Sequence, residues 1–115
     1  MDFNLVLANL RAEDSEQFDP AYRELLANAI LWKDEILEAA KYERDYRVKS
    51  ILIEVLGETR DHSVIPYVAT QLESDISEVK FWAKVALQSL RNNSNLTPED
   101  RVLVDQRIQM RQRNR

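Results

Sequence analysis

The sequence predicts an all-α domain of about six helices in three antiparallel pairs, on three observations. The first is glycine poverty. One residue in 115, Gly57, is glycine, whereas sheets and tight hairpins consume glycine for positive-φ turns. The second is that apolar residues recur three and four positions apart along nearly the whole chain. The third is a phrase written twice. RVKSILIEVL begins at Arg47, and EVKFWAKVAL begins 31 residues later at Glu78.

Each element follows from its own residues. A short helix near 3–11 carries Phe3, Val6, Leu7 and Leu10 on one stripe. In DPAYRELLANAILWKDEILEAAKYE, Asp19 is the expected cap and Pro20 the first helical position. The stripe Ala21, Tyr22, Leu25, Leu26, Ala29, Trp32, Ile36, Leu37, Ala40 then keeps helical phase with no Gly or Pro to interrupt it. That predicts one long helix over 20–43 rather than two short ones. The repeated phrase supplies the next stripe, Val48, Ile51, Leu52, Val55, Leu56, and its counterpart Val79, Trp82, Ala83, Ala86, Leu87, Leu90. Between them, Ile65, Val68, Ala69 and Leu72 mark a helix of about 63–73, with Ser63 as cap and Pro66 in the first turn. Asp75 with Glu78, or Ser77 in competition, opens the helix that follows. After RNNSNLTPED, Thr97 caps and Pro98 starts a last helix to about 111, with Leu103, Val104 and Ile108 inward. The expected domain is 1–111, with 112–115 a basic tail. Its core is expected to run through Leu26, Ile36, Leu52, Val55, Leu72, Ala83 and Leu87.

A helix–turn–helix unit repeating with a period near 31 is the pattern of a stacked α-solenoid. The segment VLGETRDHSVIPYVATQLESDISEVKFWAKVAL resembles the HEAT-like repeats of the phycobilisome-lyase type. Those repeats favour Leu-Gly at a helix end, then Asp, Ile-Pro, Leu, Asp, and Val-Arg opening the next helix. Here the places are taken by Leu56-Gly57, Asp61, Ile65-Pro66, Leu72, Asp75 and Val79-Lys80. The resemblance covers roughly residues 45–91 and implies a short α–α superhelix, with Gly57 in a left-handed cap. It speaks to architecture and leaves function open.

Composition limits the chemistry. With no cysteine, thiolate metal sites and cysteine nucleophiles are excluded, and the single histidine, His62, sits in a turn without a positioned partner. No phosphate loop, nucleophile elbow, dinucleotide fingerprint or EF-hand spacing is present. No enzyme, cofactor or metal is expected. No apolar run reaches the ~20 residues of a membrane span, and the N-terminus lacks a basic signal-peptide region, so a cytoplasmic protein is expected. Charge is uneven. Residues 1–100 carry 11 Lys/Arg against 19 Asp/Glu, whereas 101–115 carry five arginines against Asp105.

These features favour a non-enzymatic module for protein–protein interaction. An acidic body attracts a basic partner, and the most specific form is an antitoxin-like inhibitor or immunity protein. The expected interface is the outward side of the second helices, Tyr67, Thr70, Gln71, Ser74 and Glu73, with Glu35 and Glu38 supplying attraction. The alternative interface is Phe81 with Arg107 and Arg111. Phe81 flanks its helix stripe beside Lys80 and Lys84, either partly exposed or packed on the last helix. Nucleic-acid binding, by resemblance to HEAT-like DNA glycosylases, is disfavoured by the acidic body. A small adaptor or assembly-factor role, including one related to bilin lyases, completes the alternatives.

Overall fold

A computed structural model describes residues 2–93 and 97–113. Several helix starts in it are capped by an aspartate that answers their unpaired N–H groups. Asp2 accepts from Leu5 N–H at 2.8 Å and opens α1, Phe3–Arg11, which buries Val6 and Leu10. Asp14 accepts from Glu16 N–H at 2.9 Å and opens α2, Ser15–Ala27. Helix α2 therefore starts a turn before the expected cap, and Asp19 and Pro20 lie inside it. Proline is tolerated there because Pro20 and Glu16, whose carbonyl loses its donor, are both exposed to water.

The long helix is not continuous. It breaks over residues 28–32 and resumes as α3, Lys33–Tyr42. No Gly or Pro stands at the break; at Asn28 the backbone takes φ −109° and ψ 17°, and its N–H and Nδ2 both donate to the Glu24 carbonyl, at 3.1 and 2.9 Å. Leu26, expected in the core, lies on α2 and is 39% exposed.

The remaining elements keep their expected places. Asp45 opens α4, Tyr46–Leu56. The segment expected as one helix over 63–73 is a 3-10 turn at His62–Val64, α5 at Ile65–Thr70 and a second 3-10 turn at Gln71–Glu73. Its cap is Asp61, accepting from Ser63 N–H at 2.8 Å, rather than Ser63. Ser74 Oγ takes the Ile76 N–H at the entry to α6, Ser77–Asn93, and α7 runs Pro98–Arg113. Seven α-helices are thus described where six were expected, and no strand is found among the described residues.

Both copies of the repeated phrase are core. Val48, Leu52, Val55 and Leu56 of α4 and Val79, Ala83, Ala86, Leu87 and Leu90 of α6 are buried. Helices α4 and α6 also form the most extensive helix–helix contact of the fold. Gly57 explains how closely they meet, but not through the expected left-handed cap. Its φ is −64°, and a Cβ placed on it would stand 2.8 Å from Ala86 Cα. The left-handed residue is Arg60, φ 58°.

Polar ties join elements distant in sequence. Arg11 grips Glu43 through two bonds of 2.8 and 3.0 Å, and Phe3 meets Trp32 edge-on, joining α1 to α3. The Tyr22 hydroxyl donates to Glu54, joining α2 to α4. Lys33 pairs with Asp61 at 2.6 Å, and the Tyr67 hydroxyl donates to the Ala40 carbonyl at 3.0 Å, joining α3 to the α5 segment. These hydrogen-bonded partners lie 27 to 32 residues apart in sequence. In α7, Val104 is buried and Ile108 half-buried as expected, while the side chains of Leu103, Arg111, Arg113 and Arg115 lie outside the described residues.

Candidate partner interface

Helix α3 turns Ile36 and Ala40 into the core, and its opposite side is left to solvent. Along that side stand Asp34, Glu35, Glu38 and Tyr42 on one stripe, with Leu31 in the turn that leads into the helix. All are exposed, Leu31 and Tyr42 by 76% each. Leu31 stands in the turn just before α3, where Trp32 N–H bonds to Asn28 and Ile36 N–H to Trp32, both at 2.8 Å. Three carboxylates thus sit between two large apolar side chains. At the Leu31 end, Leu26, Ala27, Ala29 and Ile30 line a cleft of about 410 Å³ with Glu58 and Arg60. Ile30 is 68% exposed.

The expected interface residues do not form one surface. Glu35 and Glu38 are exposed on α3, as expected. Tyr67 is not an outward anchor. It is half-buried, its hydroxyl is used on Ala40, and burial pushes the phenol up to about 12. Lys49 Nζ shares that carbonyl at 2.6 Å and lies 5.9 Å from the Tyr67 ring centre. Desolvation lowers the Lys49 pKa, with Glu43 opposing the shift. Tyr67 and Lys49 together close the C-terminal end of α3.

Thr70 points elsewhere. It lines a cleft of about 280 Å³ between α5, α6 and α7 with Ile65, Pro66, Ala69 and Arg107. Gln71 is half-buried and donates to Thr70 Oγ1 at 3.1 Å, Ser74 is half-buried at the entry to α6, and Glu73 is exposed. Of the alternative set, Phe81 is 55% exposed and rests edge-on against Trp82, with ring centres 5.1 Å apart. Arg107 is exposed on α7, and the Arg111 side chain is outside the described residues.

Leu31, Asp34 and Tyr42 were missed by sequence reasoning, although a signal was present. Ala29-Ile30-Leu31-Trp32 are four apolar residues in a row, and consecutive helical positions point in different directions, so all four cannot face one core.

Among the described residues no group of three or more His, Asp or Glu is placed to hold a metal, and His62 is exposed. No described helix is long and apolar enough to cross a membrane. Comparison with protein-family models, curated proteins and solved structures finds no match.

Proposed function

We propose that this chain is a non-enzymatic protein-interaction module that binds a basic protein through the exposed stripe of α3. The observation that carries the reading is the alternation along that side, Leu31 in the leading turn, then Asp34, Glu35 and Glu38, then Tyr42, all solvent-facing. Carboxylates raise the rate of encounter with a basic surface, while the apolar ends bury area once contact is made. The repeat-like residues at 45–91 support a HEAT-like stack, an architecture that binds by shape and charge. The most specific form of this reading is an antitoxin-like inhibitor or immunity protein that covers a basic toxin, such as a nuclease.

Affinity capture with two baits tests it. The wild-type chain should retain a basic protein that the double variant Glu35→Lys, Glu38→Lys loses. With that protein purified, the variant should associate more slowly and with a weaker salt dependence, at an unchanged melting temperature. Equal capture by both baits sinks the α3 assignment.

A further inference from the structure

A second groove has the opposite electrical character. It lies on the outer side of α6, encloses about 400 Å³, and is lined by Leu72, Ser77, Lys80, Phe81, Lys84, Val85 and Gln88. No carboxylate lines it, in a chain with 20 acidic and 16 basic residues. The ion pairs among the described residues engage Arg11, Lys33 and Arg91 and leave Lys80 and Lys84 out. Both lysines are half-buried, so their stems lie along the groove, and Phe81 stands between them in sequence with 55% of its surface in solvent. Leu72 and Val85 give the groove an apolar floor.

Its length decides what it takes. From Ser77 to Gln88 the groove runs roughly 17 Å at ~1.5 Å of rise per residue. That matches an extended segment of about five residues at ~3.3 Å each. A small anion would occupy a fraction of it. Asp105, which lines a neighbouring cleft, is held by Arg91 at 2.5 Å. The wider charge distribution agrees. Residues 1–78 carry eight Lys/Arg against seventeen Asp/Glu, and residues 79–115 carry eight against three. The sign of the chain reverses at α6.

We infer that the groove on α6 is a docking site for an acidic peptide segment bearing apolar side chains, with Lys80 and Lys84 taking its carboxylates and Phe81 its apolar anchor. This site is separate from the α3 stripe, and either reading stands without the other.

Fluorescence anisotropy with a short labelled peptide of alternating glutamate and leucine tests it on the full chain. The wild type should bind it, and should bind a glutamine–leucine or glutamate–alanine version at least several-fold more weakly. Lys80→Glu with Lys84→Glu should reduce affinity about tenfold or more, as expected when two attractive charges become repulsive. Phe81→Ala should weaken binding without changing its salt dependence. Lys80→Gln with Lys84→Gln gives a milder second variant, and circular dichroism confirms that each remains folded. Absence of binding, or affinity indifferent to both lysine variants, overturns the proposal. So does a single-stranded oligonucleotide that binds in the peptide's place with the same lysine dependence, which would make the groove a phosphate reader.

Discussion

At Gly57 the backbone is right-handed, so other residues fit its torsions, yet an added Cβ meets the Ala86 backbone at 2.8 Å. Backbone cannot step aside as the end of a flexible side chain can. Gly57→Ala should therefore force α4 and α6 apart and cost about 1–3 kcal/mol, the usual range for overpacking. Three residues on, Arg60 holds φ 58°, where a side chain is unfavourable. Arg60→Gly should raise stability by up to about 1 kcal/mol, the reverse of a glycine placed in a regular helix. Chemical denaturation of the two variants checks both signs. Next to it, Asp61 is held down to about 2, first by its bond from Lys33 and then by the Ser63 N–H. Its folded pKa lies below the unfolded 3.8, so its contribution is complete above that value and is lost as pH falls toward 2. Asp61→Asn keeps an oxygen for the cap and removes the charge. The gap in melting temperature between wild type and variant should be level near neutral pH and close progressively below pH 3.8.

Helices are held in register here by polar ties at the ends of apolar stripes. Tyr67 ties α5 to the end of α3, and Tyr67→Phe removes the hydroxyl while keeping the ring. That should cost about 0.5–1.5 kcal/mol, the net worth of one hydrogen bond, with Lys49 still on the Ala40 carbonyl. It should leave association with a basic partner unchanged. Within the stripes, Leu52→Ala and Leu87→Ala should each cost about 2–5 kcal/mol, and Leu26→Ala, on an exposed residue, less than about 1. Melting curves of the three compare them directly. The helix stripes at 46–56 and 77–93 were legible because 3.6-residue periodicity reports a buried face directly, although α4 also buries Ser50 and Ile53 off that stripe. The break at 28–32 was not. Ala29, Trp32 and Ile36 keep helical spacing across it, and no Gly or Pro marks it. The inward turn of Tyr67 was equally hidden, since its partner is a backbone carbonyl 27 residues away.

Across the whole molecule, α1 to α5 are strongly acidic and the chain from α6 onward is basic. Two surfaces of opposite sign on one rigid core can serve two partners without a conformational signal between them. Exposed charges farther apart than a Debye length, ~8 Å in physiological salt, are largely screened from each other. Substitutions that share no contacts generally act additively. Charge reversal at Glu35 and Glu38 should therefore slow capture of a basic protein and leave the affinity of α6 for the acidic peptide within about twofold. Reversal at Lys80 and Lys84 should do the opposite. The quadruple variant should show both losses at the size of each alone. Titrating each ligand against all three variants at two salt concentrations measures this directly. Coupling beyond about 0.5 kcal/mol in physiological salt would mean that the surfaces communicate through the packing of α4 and α6 rather than acting as independent charges.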